Sequence, residues 1–300
     1  MRKFVNNVNL CFTNRTFPFI ILIPKQNIME KRMTDHVEEK KKVSDTLFIP
    51  LYGKAYVTKK GIILNDPMAE KIIQDNDFTP GRKSKSRFLS YFMAIRAKVF
   101  DDYVSEKIAS PGDTVVLNLG CGLDGRSLRV DRKNTLWYDI DLYDVAQKRK
   151  MYYDEDENYK ILPRDVTDEG IFDGIPDDRP AVILMEGLCM YLKREELKKF
   201  FARAESHFGE VHILADFYSE KAAKLSKYKN PINEVGVYEV YGLDDPRKVE
   251  CGKLKFVSSR DMSPYHLSDE LPATDRFIFR KLYAGSFARG LYKLYEYEKI

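Results

Sequence analysis

The sequence predicts an α/β fold in which helices cover both faces of a seven-stranded, mostly parallel sheet. Short apolar runs alternate with helical segments along most of the chain, which is typical of parallel strands joined by crossover helices. The first apolar run ends at a glycine-rich loop, and the next four end in or just before carboxylates. The last run has period two, so we expect an antiparallel strand at the edge of the sheet.

Composition limits the class of protein. The 300 residues suffice for one large α/β domain, and 50 Lys and Arg residues nearly balance 46 Asp and Glu residues, which leaves a net charge of +4. Proteins that bind nucleic acid usually carry a concentrated basic face. We therefore expect a small-molecule partner and no nucleic acid, and the oligomeric state stays open.

Cysteine and histidine usage argues against a metal centre. The four cysteines and four histidines are scattered, without a C-x-x-C pair or the spacing of metal ligands. We expect no metal ion, no disulfide framework and a reducing, cytoplasmic location. The residues concerned are Cys11, Cys121, Cys189, Cys251, His36, His207, His212 and His266.

The first 33 residues differ from the rest of the chain. The apolar run over residues 17–24 is far shorter than the roughly 20 residues that a membrane span needs, so no membrane partner is expected. Met29 and Met33 precede an ordinary polar stretch, and we interpret residues 1–33 as a disordered or non-native extension. Residues 34–300 then form one domain, with a helical lid or N-terminal part over 34–110 and the sheet core over 111–300.

The region before the sheet predicts helices and loops, interrupted at Pro80 and Gly81. Six apolar residues recur at helical spacing and predict a stripe that faces the core. They are Phe88, Tyr91, Phe92, Ile95, Val99 and Phe100. Arg96 lies one step off the stripe. It is either a solvated or ion-paired arginine, or a clamp that grips a carboxylate with its planar fork of donors.

The first predicted strand covers residues 115–119 and is followed by Gly120, Gly122 and Gly125. Glycine lets the backbone adopt positive φ and approach a ligand closely. A loop of this kind at the carboxyl end of a strand binds nucleotide-like ligands, either a dinucleotide or S-adenosylmethionine (SAM). Asp124 beside the third glycine favours SAM, because a carboxylate would repel a pyrophosphate and not a sulfonium.

The next strands end in acids. Asp139 and Asp141 follow the glycines by about 20 residues, the distance at which an acid grips a ribose. Asp165 follows a third strand, where it could meet the adenine amino group or simply cap the following helix with Thr167 and Asp168.

Glu186 comes directly behind the apolar fourth strand, where an acid is costly unless it has a partner, and Asp216 ends the fifth strand. So many acids at one edge of a sheet predict a pocket for a ligand with a positive centre.

The C-terminal part adds a helix through Lys224, a strand near residues 254–257, a helix near Ser268 and the final alternating run. In that run Tyr295 and Tyr297 fall on one side and Leu294 and Glu296 on the other. With the five earlier strands, these two complete a sheet of seven.

Several motifs together resemble the family of leucine carboxyl methyltransferases and polyketide-synthesis O-methyltransferases. They are M-A-I-R-A-K-V-F-D-D-Y-V (93–104), L-N-L-G-C-G-L-D-G-R (117–126), W-Y-D-I-D-L-Y-D-V (137–145), R-D-V-T-D (164–168) and L-M-E-G-L-C-M-Y-L (184–192). The resemblance covers residues 45–300 and implies a Rossmann-like, class I SAM-dependent methyltransferase. Tyr143 departs from it, since relatives often have proline there, and the C-terminal part also differs.

The resemblance implies roles at matching positions. Arg96 would face the methionine carboxylate of SAM, and the loop of Gly120, Cys121 and Gly122 would pass beneath the amino-acid moiety. Asp141, or else Asp139, would accept from the ribose hydroxyls. The remaining matches are Asp165 with Val166 at adenine, Glu186 beside the amino-acid end or the substrate entrance, and Tyr191 in the pocket wall.

The expected reaction is methyl transfer to a carboxylate or hydroxyl of a small, polyketide-like molecule, or to the terminal carboxylate of a protein. A carboxylate acceptor needs no general base, whereas a phenol would be helped by one. The candidates for such a group are Tyr191, Asp216, Tyr265 and His266, and His266 is more simply interpreted as an ordinary surface histidine. The alternatives are a nicotinamide-dependent oxidoreductase and a SAM-binding protein without turnover.

Overall fold

A computed structural model of the chain describes residues 45–81, 84–108, 114–132, 135–229, 232–233 and 239–300. The predicted extension over residues 1–33 lies outside the described residues. No helix within the described ranges is long and apolar enough to cross a bilayer.

Seven strands form a single mixed sheet in the order β3-β2-β1-β4-β5-β7-β6. The first five are parallel to one another, and β7 is antiparallel to both of its neighbours. The strands are Val115–Leu119 (β1), Leu136–Asp141 (β2), Tyr159–Pro163 (β3), Ala181–Met185 (β4), Val211–Tyr218 (β5), Lys255–Arg260 (β6) and Tyr292–Lys299 (β7). The predicted fold class is therefore confirmed.

Helices cover both faces of the sheet. They are Phe48–Thr58 (α1), Pro67–Asp75 (α2), Arg87–Lys107 (α3), Arg126–Arg129 (α4), Tyr143–Arg149 (α5), Arg194–His207 (α6), Glu220–Lys229 (α7), Ala273–Leu282 (α8) and Ser286–Leu291 (α9). Short 3₁₀ turns cover Asp45–Leu47, Cys189–Tyr191, Pro246–Val249 and Tyr265–Ser268.

Strand β1 shows how the two faces divide. Val115, Leu117 and Leu119 pack into one apolar core with α6, and Val116 packs into the second core with α1 and α3. Side chains of a strand alternate between faces, so a strand that is buried on both sides must be apolar throughout. Asn118 is the one polar residue of β1, and it is fully buried.

The final strand is not at the edge, which corrects the sequence-based expectation for that run. Strand β7 lies between β5 and β6, and β6 is the edge strand. The period-two pattern suggested an edge strand, but Glu296 is buried because Arg260 on β6 and Lys107 on α3 pair with it. The middle of the strand, residues 294–297, is therefore buried on both faces despite the alternating pattern.

The predicted apolar stripe lies on α3. Tyr91, Ile95 and Phe100 are fully buried, and Phe88, Phe92 and Val99 are partly buried against the same clusters. Helix α3 packs closely with α1, and together they cover the carboxyl end of the sheet next to the glycine loop.

Candidate active site

A cavity of about 620 Å³ opens at the carboxyl ends of β1, β2 and β4, beneath the segment 46–54. It receives most of the residues that the sequence singled out. Those that line it are Arg96, Gly120, Cys121, Gly122, Asp141, Asp165, Val166, Glu186 and Tyr191. The glycine loop, three of the predicted strand-end acids and the arginine of α3 thus meet in one place.

The glycine loop forms the floor of this cavity. Gly120 has φ +61° and Gly122 has φ +54°, a region that other residues rarely adopt. A Cβ on Gly120 would lie 3.0 Å from Leu188 Cδ1. Leu47, in the turn before α1, lies directly over Gly122. A Cβ atom on Gly122 would be 3.5 Å from the Cβ atom of Leu47.

Asp141 ends β2 and faces the cavity. Its Oδ2 accepts from the N–H of Gly122 at 2.7 Å, and its Oδ1 accepts from the N–H of Leu142 at 2.8 Å. Burial outweighs these two hydrogen bonds and raises the pKa of Asp141 to about 6. Each oxygen keeps a lone pair for a further donor, as a pair of ribose hydroxyls would require.

Asp165 does more than face the cavity. Its Oδ1 accepts from the N–H of Thr167 at 2.8 Å and from the Thr167 hydroxyl at 2.7 Å. It therefore has the local capping contact with Thr167 that the sequence left open, and it lines the cavity with Val166 as well. The segment that it begins is a series of turns and not a helix.

Arg96 is ion-paired at the cavity wall. Its Nε donates to Glu186 Oε1 at 2.9 Å, and its Nη1 donates to the hydroxyl of Tyr292 at 2.8 Å and lies 3.3 Å from Asp216 Oδ2. Burial disfavours the ionised form of Glu186, but Arg96 and Arg126 outweigh it and lower the pKa of that carboxyl. The ion-paired reading is therefore right, and it does not exclude the clamp, since Arg96 faces the cavity.

Arg96 and Glu186 belong to a larger set of buried charges, which we call the charge network. Each member has a side chain less than 10% exposed and at least one ion pair within the set. The cations are Lys54, Arg96, Arg126 and Arg129, and the carboxylates are Asp66, Asp101, Asp124, Glu186 and Asp216. The network joins α1, α2 and α3 to the glycine loop and to the ends of β4 and β5.

The network changes the argument made from Asp124. Lys54, Arg126 and Arg129 surround this carboxylate and hold its pKa well below the usual range, against the effect of burial. Asp124 alone would therefore not repel a pyrophosphate, and that step of the sequence argument is wrong. The network as a whole still holds one more carboxylate than cations, which suits a ligand of net positive charge.

Asp139 does not line the cavity, which corrects its assignment as the alternative ribose ligand to Asp141. It is 0% exposed, and its oxygens accept from Asn118, Trp137, Tyr159 and Arg149. Strand alternation puts Asp139 and Asp141 on the same face, so depth separates them: Asp141 is the last residue of β2, whereas Asp139 lies two residues further inside the sheet.

Three candidates for a catalytic group also lie outside the cavity. Asp216 is 0% exposed behind Arg96 and accepts from the hydroxyl of Tyr292 at 2.8 Å. Tyr265 and His266 are exposed on a turn that packs against α8. These residues do not meet a ligand in the cavity, and Tyr191 is the one candidate of the four that lines it.

Part of the cavity wall is aromatic. The rings of Phe92 and Tyr292 lie 5.9 Å apart, those of Phe92 and Tyr283 5.5 Å, and those of Tyr218 and Tyr292 4.9 Å. Met93, Met190 and Leu225 add aliphatic surface. We call this part the aromatic chamber.

Sequence reasoning missed Lys54 and Arg126, although both line the cavity. Lys54 lies in an otherwise apolar helix, and a buried lysine there is a signal of function that helical periodicity could have revealed. Arg126 follows the third glycine directly, and its partner Asp101 lies 25 residues away on α3. Nothing in the sequence connects those two positions.

These features fit SAM. Two positive-φ glycines remove side chains from the floor, a strand-end acid offers two acceptor oxygens, and the surrounding charges favour a cationic ligand. A seven-stranded sheet with this site at its carboxyl end defines a SAM-dependent methyltransferase.

Comparison with known proteins identifies the family. Residues 32–205 match the model of the leucine carboxyl methyltransferase family, more than half of the chain, and the chain belongs to that family. It is 29% identical over 210 residues to the tetracenomycin polyketide synthesis O-methyltransferase TcmP of Streptomyces glaucescens, covering 69% of this chain and 78% of that protein.

Two further comparisons agree. The SAM-dependent methyltransferase dpfgK of Gibberella zeae is 28% identical over 229 residues, which covers 69% of this chain and 77% of that protein. The crystal structure of a candidate methyltransferase from Thermobifida fusca shares the fold, with a TM-score of 0.54 and 16% identity over 82% of this chain and 94% of that chain. The oxidoreductase and the non-catalytic alternatives are therefore set aside.

Proposed function

We propose that the enzyme transfers a methyl group from SAM to an oxygen atom of an apolar small molecule bound in the aromatic chamber. One observation carries the proposal: a single cavity joins the polar glycine loop and Asp141 to a chamber of aromatic and aliphatic side chains. A polar end suits the adenosine and amino-acid parts of SAM, and an apolar end suits the hydrocarbon or aromatic body of the acceptor.

The residues of the polar end would hold SAM in named ways. Asp141 would accept from the ribose hydroxyls, and Asp165 with Val166 would contact adenine. Arg96 would face the methionine carboxylate and Glu186 the ammonium, because the two already present a cation and an anion side by side at the wall. Gly120, Cys121 and Gly122 would pass beneath the amino-acid part.

SAM supplies a methyl group on a sulfonium, which an oxygen nucleophile attacks in line. The protein then mainly has to hold the two molecules in position and exclude water. The turn at residues 45–47 and helix α1 cover the glycine loop, and Thr46 is tied to the far wall by the hydroxyl of Tyr191 at 3.3 Å. Because the turn at residues 45–47 and α1 cover this part of the cavity, they support a role for this segment in excluding water.

The side chains around the chamber favour an acceptor oxygen that is already ionised. Within the described ranges no histidine lines the cavity, and burial raises the pKa of Tyr191, so its hydroxyl is neutral at pH 7 and donates hydrogen bonds. A carboxylate acceptor meets this condition without a base. The terminal carboxylate of a protein is the second candidate acceptor, supported by the family to which the chain belongs.

The test is an acceptor screen. The enzyme is incubated with SAM and a panel of polyketide-like carboxylic acids, phenols and peptides that end in leucine, and S-adenosylhomocysteine is measured by mass spectrometry. Release with apolar acids supports the proposal, and release with peptides alone contradicts it. A cytoplasmic location remains part of the proposal, since Cys121, Cys189 and Cys251 are free thiols.

A further inference from the structure

Three side chains beneath the glycine loop form a connected set, which we call the Asn118–Asp139–Arg149 relay. The Nδ2 of Asn118 donates to Asp139 Oδ1 at 2.8 Å, and Nη2 of Arg149 donates to Asp139 Oδ2. The Nη1 of Arg149 donates onward to the carbonyl oxygen of Gly122 at 3.1 Å. Asp139 and Arg149 are fully buried and do not line the cavity, so they can act on a ligand only through other groups.

The relay ends on the glycine that also contacts Asp141. Gly122 donates its N–H to the Asp141 carboxylate and accepts from Arg149 at its carbonyl, so it is held from both sides. At φ +54° and without a side chain, Gly122 has few contacts of its own to fix its position. The next carbonyl, of Leu123, accepts from Tyr153 at 2.8 Å, and the Tyr153 ring lies 4.1 Å from the guanidinium of Arg149.

Arginine is required by the number and direction of these contacts. Its Nε donates to the hydroxyl of Tyr159 at 3.1 Å, while Nη1 and Nη2 serve Gly122 and Asp139. The Tyr159 hydroxyl donates in turn to Asp139 at 2.8 Å, which closes the set. Lysine has one nitrogen and cannot supply three donors in one plane.

Asn118 connects the relay to the opposite wall of the cavity. Its Oδ1 accepts from Nη1 of Arg126 at 3.0 Å, and Arg126 pairs with Glu186. A polar residue in the middle of a buried apolar strand costs free energy unless it is fully hydrogen-bonded. The hydrogen bonds of Asn118 with Asp139 and Arg126 therefore account for an asparagine in the middle of β1.

We propose that Arg149 is a positioning residue for the cofactor. Through Gly122 it holds the Asp141 carboxylate in the orientation that receives the ribose of SAM, and Asp139 and Asn118 anchor it. The inference rests on the proposed role of Asp141 and needs no knowledge of the methyl acceptor.

The test compares SAM binding by calorimetry in the wild type, Arg149→Lys and a matched control, Arg260→Lys. Arg260 pairs with Glu296 at the β6–β7 edge and does not line the cavity. We expect Arg149→Lys to raise the dissociation constant about ten-fold, equivalent to ~1.4 kcal/mol. Arg260→Lys should stay within about two-fold of the wild type, since distant sites act independently.

A double-mutant cycle separates positioning from a general loss of stability. If Arg149 acts through Asp141, Arg149→Lys should have less than about a two-fold effect on SAM binding when Asp141→Asn is already present. An unchanged dissociation constant in folded Arg149→Lys overturns the proposal. So does a ten-fold loss that persists in the Asp141→Asn background.

Thermal unfolding shows whether each variant is folded. If Arg149→Lys does not fold, the test uses Tyr159→Phe instead. That substitution removes one hydroxyl from the relay and leaves the charges of Asp139 and Arg149 in place. We then expect a roughly three-fold increase in the dissociation constant, about half the ten-fold effect in free energy. Unaltered binding in Tyr159→Phe overturns the relay. A wild type that binds no SAM contradicts the cofactor roles and the relay together.

Discussion

Arg96 on α3 and Glu186 behind β4 form a buried ion pair, with 2.9 Å between Nε and Oε1, at the wall of the cavity. They lie 90 residues apart in the chain. The pair joins the N-terminal helices to the sheet at the point where the amino-acid end of SAM is proposed to bind.

Replacing Glu186 by glutamine should destabilise the protein by about 3 kcal/mol, because Arg96 and Arg126 then lose a buried carboxylate. The pKa of Glu186 is lowered on folding, so its contribution is present above its unfolded pKa and is lost as pH falls through the folded one. Urea unfolding at pH 7 and at pH 4 measures this. The difference in the free energy of unfolding between wild type and Glu186→Gln should be smaller at pH 4 than at pH 7. An equal difference at both pH values would contradict the stabilising role of ionised Glu186.

Gly187→Ala tests how closely Arg96 passes the backbone. Gly187 has φ +70°, and a Cβ there would lie 3.3 Å from Nη2 of Arg96. Gly174 has the same φ with open space around its Cβ position, which makes Gly174→Ala a matched control for backbone strain. We expect Gly174→Ala to cost about 1 kcal/mol and Gly187→Ala about 1–3 kcal/mol more, with weaker SAM binding in the latter alone. If denaturant unfolding shows the same loss of free energy of unfolding in both variants, the close approach of Arg96 to Gly187 does not contribute.

Asp141→Ala should weaken SAM binding roughly ten- to a hundred-fold while the protein stays folded. Hydrogen bonds to a charged group are worth about 1.5–3 kcal/mol, and the ribose would lose them. Calorimetry with SAM gives the affinity and circular dichroism gives the fold. Unchanged affinity would move the ribose role to another residue.

SAM binding should weaken as pH falls below about 6. The pKa of Asp141 is raised to about 6 by burial, and protonation removes the negative charge and one acceptor site from its carboxylate. Asp216 also has a pKa raised to about 6, so Asp141→Asn is the control that separates the two groups. The step near pH 6 should be much smaller in Asp141→Asn, and a step of undiminished size would assign it to Asp216.

Tyr283→Leu should raise the KM for an apolar acceptor without changing the affinity for SAM. Tyr283 lines the aromatic chamber, and an aromatic contact is worth about 0.5–1.5 kcal/mol, or roughly three- to ten-fold in the acceptor KM. Tyr265→Leu, outside the cavity, is the matched control and should leave both parameters unaltered. Equal effects of the two substitutions would place the acceptor elsewhere.

Much of the fold could be predicted because its signals are local. The five apolar runs became the five parallel strands, and the stripe on α3 became its buried face. The position of β7 could not be predicted, since Glu296 is buried by Arg260 and Lys107 from other parts of the chain. The period-two sequence pattern is the same whether the polar face of the strand is exposed to solvent or buried by ion pairs with other elements.

The sequence by itself determined the glycine loop and the acids that follow the strands, because backbone conformation and strand ends depend on neighbouring residues. Only the tertiary structure decided which acids reach the cavity. Asp139 and Asp141 are two residues apart, yet one is enclosed by Asn118, Tyr159 and Arg149 and the other faces the cavity. Whether a carboxylate serves a ligand or an internal cation depends on groups that packing brings together, and the sequence does not encode that proximity in any local pattern.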